Sequence, residues 1–299
     1  MKSKQFSWGF FLVTLGALFL LTKYNFISSD FSFVWDIWPL IFIIWGAMVI
    51  FKNSFIRPIL SALIGIYLAV MIYGIIANIF SNFDWSTHDE NELKETYFEE
   101  YDSTIKYAEL NFKSGAGFFE IADPTDKLIL GEGYGNWADY ELNSTKSDSV
   151  CYIDFNLEKN TFNFPNSKIK NKLKIHLNEI PEWDLSFDLG AAKAKFDLTS
   201  YKIKNVRLKT GASNVILKLG DKSDFTDVDI EMGAAKIKIY IPETSGCKLE
   251  GDMVLMSRDL DGLKKVDSNL FETPDYESAN KKISIKINGG VSSFKIVRY

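Results

Sequence analysis

Histidine and cysteine are almost missing, with two of each in 299 residues. So long a chain with only Cys151 and Cys247 is not a small fold held by disulfides. The two thiols lie far apart in sequence. Outside the cytoplasm they can pair, and each reads equally well as a buried free thiol. Positive charge is also short. Lys and Arg number 34 against 39 Asp and Glu, a net charge of −5, which argues against a nucleic-acid binder. No phosphate-binding or dinucleotide fingerprint is present. The stretch Gly131-Glu132-Gly133 with Gly135 is glycine-rich, but no Lys-Ser/Thr pair or helix follows, and it reads as a turn. A content of 46% hydrophobic and 15% aromatic residues excludes disorder. The length suits one to three domains, or one domain plus membrane segments.

The charge is unevenly spread. Residues 1–80 carry Lys2, Lys4, Lys23, Lys52 and Arg57 against Asp30 and Asp36, whereas the rest of the chain is acidic. Three uncharged apolar runs fill this first part, at 6–22, 37–51 and 58–80. A helix that crosses a bilayer needs about 20 apolar residues. The third run qualifies outright. The first is at the lower limit, with Lys23 able to snorkel. The second is short and spans only if residues 34–38 are included. No small-residue cleavage motif follows the first run, so a retained anchor is expected rather than a signal peptide. Lys2 and Lys4 precede the first helix, and Lys52 and Arg57 lie between the second and third, which places both flanks in the cytoplasm. With three spans the C-terminal part faces outward. Ser61, Gly65 and Ala69 recur every four residues along the third helix and make a smooth face for a neighbouring helix, either from this chain's own hairpin or from a partner.

The stretch from Trp8 reads WGFFLVTLGALFLL and that from Trp38 reads WPLIFIIWGAMVIF. Together they resemble the paired tryptophan–glycine hairpin of the LiaI/LiaF-type transmembrane module. Residues 81–106 are acidic, from Asp84 through Asp102, and read as a solvated linker off the membrane. No EF-hand spacing is present, and His88 has no second histidine or cysteine near it, so no metal site is expected.

From residue 107 to the C-terminus the period is two, which is the mark of strands. The pattern repeats. Leu185, Phe187 and Leu189 precede Gly190-Ala191-Ala192, then Ala194, Phe196 and Leu198 follow. Val206 and Leu208 precede Gly211, then Val215, Leu217 and Leu219 follow. Val228, Ile230 and Met232 precede Gly233, then Ile237, Ile239 and Ile241 follow. Gly115 and Gly289 divide similar pairs. Across each glycine the inward residues change parity, as from Leu189 to Phe196. A straight strand would then turn its core face outward. The chain must turn a corner there, and glycine is expected to supply the dihedrals. Leu128, Leu130 and Trp137 repeat the step more weakly. Cys247 and Leu249 fall where the coil after Ile239 is expected. A period of 21 to 22 residues suits a stacked, right-handed β-solenoid. The alternative is an antiparallel β-sandwich. Lys193, Lys195, Asp197, Lys236 and Lys238 make the wet face. The glycine corners flanked by alternating strands resemble the adhesin-like β-helical domains, called toast-rack domains, of LiaF-type envelope proteins. That resemblance implies a regulator that restrains an envelope-stress sensor kinase.

Catalysis has little support. His176 sits on a strand with Leu173, Ile175 and Leu177 inward and Lys174 beside it outward, and no nucleophile accompanies it. Asp221 with Asp224, and Asp227 with Asp229, read as surface charges. Trp137, Tyr140, Trp183 and Tyr201 are candidates for a glycan groove or, more simply, for packing. The expectation is therefore a non-enzyme without catalytic residues, metal or cofactor. It is anchored in the plasma membrane with its β-domain outward, and its partners are the bilayer and a sensor kinase or another membrane protein, with self-association left open. An adhesive module that binds surface polymer is the alternative.

Overall fold

The computed structural model describes residues 3–23, 39–51, 56–81, 93–121, 123–135, 139–158, 171–233, 235–253, 257–289 and 293–299. The expectations for residues 34–38, His88 and Trp137 lie outside the described residues. The chain divides into two compact units, Met1–Trp85 and Ser86–Tyr299.

The first unit holds helices α1 (Ser3–Lys23), α2 (Leu40–Ile50) and α3 (Arg57–Ser81). Pro39 caps α2, and Pro58 lies in the first turn of α3, where its missing N–H has no intrahelical partner to lose. The helices α1 and α3 pack side by side. Gly65 meets the backbone of Ser7 and Phe11, and Tyr73 meets Leu15 and Leu18 and takes the Phe19 ring edge-on at 5.0 Å. The partners advance together along both helices, so α1 and α3 run parallel. Trp8, Leu12 and Val13 of α1 and Ile43 and Trp45 of α2 point away from the bundle, which suits helices in lipid. Only α3 among the described helices carries a window, Arg57–Gly74, long and apolar enough to cross a bilayer; Phe6–Leu21 and Leu40–Ile50 are shorter.

The second unit is all β. In chain order the strands are β1 (Leu93–Glu99), β2 (Tyr107–Ser114), β3 (Gly117–Ile121), β4 (Ile129–Gly135), β5 (Tyr140–Ser147), β6 (Val150–Leu157), β7 (Asn171–Leu177), β8 (Glu182–Leu198), β9 (Lys202–Leu219), β10 (Phe225–Met232), β11 (Ala235–Ile241), β12 (Ser245–Met253), β13 (Ser257–Leu260), β14 (Lys264–Asp267), β15 (Leu270–Glu272), β16 (Lys281–Gly289) and β17 (Ser293–Arg298). Each coil runs up one face, turns a corner and returns along the other. The long strands β8 and β9 cover both faces without a break. On the first face β6, β2, the front of β8, the front of β9, β10, β16 and β12 lie parallel in that order. On the second, β7, β3, the back of β8, the back of β9, β11, β17 and β13 do the same. Strands pair with those of other coils in parallel, so the antiparallel sandwich is not the architecture.

Several details depart from the sequence reading. Coils do not stack in chain order at either end. The coil β2–β3, not β6–β7, adjoins β8, and β16–β17 inserts between β10–β11 and β12–β13. Cys247 and Leu249 therefore sit one layer farther out than their place in the sequence suggests. The stretch 128–135 is neither a coil nor a turn but β4, antiparallel to β7, with Ile129, Gly131 and Gly133 inward and Leu130 outward. The acidic linker also ends earlier than residue 106. Strand β1 pairs with β4, Ile105 is buried, and Glu99 accepts from Ser144 at 2.6 Å and pairs with Lys146 at 2.8 Å. Alternation in 93–99 is hidden because the strand is a mostly exposed edge. Antiparallel strands β1, β4 and β5 at one end and β14 and β15 at the other cover stack edges that would otherwise recruit further chains.

The inward residues form one core. Leu185, Phe187 and Leu189 are buried before the corner, and Ala192, Ala194, Phe196 and Leu198 after it. Phe187 and Phe196 stack at 4.3 Å between ring centres. The small Ala192 and Ala194 are the inward residues just after the corner.

Candidate functional site

The five corner glycines share one edge of the stack. Gly115, Gly190, Gly211 and Gly233 form a ladder in which a Cβ on Gly190 would lie 3.1 Å from the Gly115 carbonyl oxygen, and one on Gly211 3.1 Å from that of Gly190. Their φ angles are ordinary; the positive-φ glycines among the described residues are Gly135 and Gly262. At Gly190, Gly211 and Gly233 glycine thus suits the close approach of adjacent layers rather than unusual dihedrals, while Gly115 has room for a Cβ. Gly289 continues the edge against the Met232 side chain.

Beside this ladder lies an open groove of about 640 Å³, lined by Asp188, Lys209, Glu231 and Asn288. Lys209 pairs with Glu231 at 3.2 Å across the register. Exposed pairs of this kind are worth about 0–1 kcal/mol. The lining has no nucleophile with a base at hand.

Of the aromatic candidates, Trp183, Tyr140 and Tyr201 are packing residues. Trp183 is buried, and its Nε1 donates to the Asn178 carbonyl at 2.9 Å. Tyr140 is buried with its hydroxyl bonded to Asn171 and Ser114, each at 3.1 Å; burial pushes its pKa up to about 12 against the lowering effect of those bonds. Tyr201 is buried and likewise pushed up to about 12. His176 lies on the outward side of β7 but is not solvent-facing, its side chain being 18% exposed. Nδ1 is 2.7 Å from the Asp123 carbonyl, and Nε2 is 3.8 Å from Glu132. Asp224 pairs with Lys281 at 2.6 Å, while Asp227 and Asp229 stand on the outward side of β10. Among the described residues no three His, Cys, Asp or Glu side chains come together as a metal site.

Cys151 and Cys247 are free and buried at opposite ends of the stack. Six strand spacings separate β6 from β12, roughly 30 Å, whereas a disulfide needs Cα atoms within about 7 Å. Burial raises both thiols, Cys247 to about 12. Both should stay unmodified by iodoacetamide at pH 8 in the folded chain, and both should react in denaturant. Modification of the folded chain, or mass spectrometric loss of two hydrogens after mild oxidation, would contradict the buried placement.

The helical stripe is already occupied. Ser61, Gly65 and Ala69 are buried, and α1 sits on Gly65 so closely that a Cβ would collide with the Ser7 carbonyl. Ser61 donates to the Arg57 carbonyl at 3.0 Å and faces the Met48 sulfur at 3.8 Å. Of the two readings of the stripe, it is the chain's own helix that fills it. A partner would have to use another surface.

The second face is where outward side chains form a pattern that sequence reasoning did not assemble. Lys172, Phe118, Lys193, Asn214 and Lys236 lie in register across five strands, and Lys174, Glu120, Lys195, Ile216 and Lys238 form the row beside them. Phe118 has the Lys172 and Lys193 ammonium groups 5.9 and 5.8 Å from its ring centre. Tyr134 of β4 has Lys172 and Lys174 at 5.4 and 5.6 Å. The Lys-x-Lys pairs were visible as wet positions, but their alignment depends on register.

Residues 86–240 match the model of the N-terminal domain of toast_rack. The chain belongs to the toast-rack family. Residues 7–87 match the LiaF transmembrane domain, so this toast-rack protein carries a LiaF-type membrane module and is a membrane protein. A crystal structure provisionally described as a cell adhesion protein, from Clostridium sporogenes ATCC 15579, superposes with a TM-score of 0.63 at 22% identity, over 69% of this chain and 98% of that one, and supports the fold. One provisionally described as an adhesin, from Bacteroides fragilis NCTC 9343, gives a TM-score of 0.27 at 10% identity, over 68% and 98%, and carries no weight. No curated protein sequence matches significantly.

Proposed function

We propose that this toast-rack protein is a non-catalytic, LiaF-like component of the cell envelope that relays envelope stress through protein contacts, with a membrane sensor kinase as the partner. The observation that carries the reading is the joining of a LiaF-type transmembrane domain to a toast-rack domain in one chain. In this reading the anchor has three spans, the β-domain faces outward and the solenoid winds right-handed. The parallel packing of α1 and α3 supports the odd number of spans, because α2 must then return between them. It also puts the start of α1 on the same side as Arg57 at the start of α3, in keeping with the positive-inside rule. The partner meets an outward surface of the helices, since the small-residue stripe is filled.

The test is a deletion strain carrying a transcriptional reporter of the envelope-stress response. Loss of the full chain should change the reporter's response to envelope-active antibiotics several-fold, and a chain lacking residues 1–80 should fail to restore it. A deletion strain with an unaltered response would sink the relay role.

A further inference from the structure

We infer that the lysine rows on the second face of the solenoid bind a linear phosphate-bearing polyanion, laid across the strands. The net charge of the chain is −5, yet this face gathers Lys172, Lys193 and Lys236 in one file and Lys174, Lys195 and Lys238 in the next. The first face mixes signs along its rows, as in Asp188, Lys209 and Glu231. The first file has no acidic member from β7 to β11, whereas in the second Glu132, Glu120 and Asp259 stand among Lys174, Lys195, Lys238 and Lys295; a file of one sign on an acidic protein is not what solubility alone produces.

The spacing is informative. From β7 to β11 lysines occupy alternate coils, those of β7, β8 and β11, while the coils between present Phe118 with Glu120 and Asn214 with Ile216; beyond β11 the second file continues with Lys295 of β17 directly opposite Lys238, its charge met by Asp259 of β13. Like charges directly opposite, about 5 Å apart, would destabilise the sheet. Two strand spacings put successive lysines about 10 Å apart, close to the Debye length at physiological salt, so the file holds together without a ligand and remains multivalent toward one. The two files are about 7 Å apart, the rise of two strand residues, so one extended chain can be gripped from both sides.

The aromatics add what a simple charged surface lacks. Phe118 and Tyr134 hold the lysine stems of the first coils in place by cation–π contact and offer flat apolar surface between the charges, and Lys238 lies 4.4 Å from the Tyr240 ring centre. Glu120 bonds Lys195 at 3.1 Å and limits the charge at that point, leaving the Lys195 side chain 57% exposed. An extended polymer of repeating phosphates fits a file of lysines spaced by the uncharged Phe118 and Asn214 better than a compact anion or an acidic patch on a folded protein does. The inference is independent of any signalling role.

The experiment uses the full chain in nonionic detergent, with long-chain inorganic polyphosphate as the probe and uncharged dextran as the control polymer. Binding is followed by fluorescence anisotropy between 50 and roughly 300 mM salt. The wild type should bind polyphosphate and not dextran, with the steep salt dependence of a multi-phosphate contact. The triple variant K172Q/K193Q/K236Q should weaken binding at least tenfold and flatten the salt slope, and adding K174Q/K195Q/K238Q should remove binding. A charge-matched set on the first face, K113Q/K202Q/K282Q, should stay within twofold. Surface Lys→Gln changes leave folding nearly unperturbed, which circular dichroism checks. Equal losses in both triple sets, or none in either, overturn the proposal. Lysine-dependent binding to phosphatidylglycerol nanodiscs without binding to polyphosphate also overturns it, and makes the face a lipid surface.

Discussion

Phe112→Ala should cost the toast-rack domain about 3–5 kcal/mol, the range for deleting a buried phenylalanine from a core that cannot collapse around the loss. Phe112 is fully buried. Its ring centre lies 5.2 Å from Phe119, 5.8 Å from Phe155, 6.1 Å from Tyr140 and 6.5 Å from Phe187. Those four rings come from four other strands, β3, β6, β5 and β8, so Phe112 is where the reversed end of the stack meets its regular centre. Solenoid stability is carried by nearest-neighbour interfaces, and a void between two coils weakens both of the interfaces it touches. Registered parallel pairing to both β6 and β8 keeps the backbone from closing the gap. In thermal unfolding of the full chain the transition assigned to the β-domain should fall by about 6–20 °C. Phe118→Ala, on the outward side of the neighbouring strand, is the control and should move it far less. A loss below about 1 kcal/mol at Phe112 would mean that the end coils are held mainly by their covering strands.

How much of this architecture is legible in the sequence depends on the range of the interaction. The parity change from Leu189 to Phe196 is local, and it implied a corner at Gly190 without any knowledge of neighbours. The spatial order of coils is not local. Nothing in the spacing of Cys247 and Leu249 says that residues 281–298 will slide between them and Ile239. That order is fixed by which inward rows match, as in Val228 beside Ile285, and by a connection long enough to hold the β14–β15 hairpin. Strand β4 is hidden for another reason: its inward positions include Gly131 and Gly133, which hydrophobic patterning does not register, and its apolar Leu130 faces outward. Strand β1 is an edge with both faces largely exposed, so its polar composition read as a linker. The reason for the corner glycines was also hidden, because a close approach between layers exists only once the layers are stacked. The lysine files belong to the same class. Each Lys-x-Lys pair was plain, and their alignment followed only from the register of four separate strand pairings.

In the membrane unit, Gly65→Leu should lift α1 off α3. A Cβ at this position would run into the Ser7 carbonyl, and the Phe11 amide nitrogen stands 3.1 Å away. Both obstacles are helix backbone, which cannot rotate aside as a side chain can, so the helices must separate by more than the small-residue interface tolerates. Lipid chains are as apolar as leucine, and helices in a bilayer therefore gain little from burial as such. They depend on close van der Waals fit, and a lost fit is not replaced. Downstream, the Phe19–Tyr73 edge contact at 5.0 Å should loosen with it, since both contacts lie along one parallel seam. A cysteine placed at Ala69, which is fully buried, reports the change. Because Cys151 and Cys247 are buried in the β-domain, the new thiol should account for the labelling of the folded chain. In membranes the Ala69→Cys chain should react slowly with a permeant maleimide, and Gly65→Leu in that background should accelerate the reaction at least tenfold, while Gly65→Ala should fall between the two. Equal rates in all three would show that α1 does not cover the stripe in the bilayer. The stripe would then be open to another helix, and the sensor partner would have a place to dock that the packed hairpin denies it.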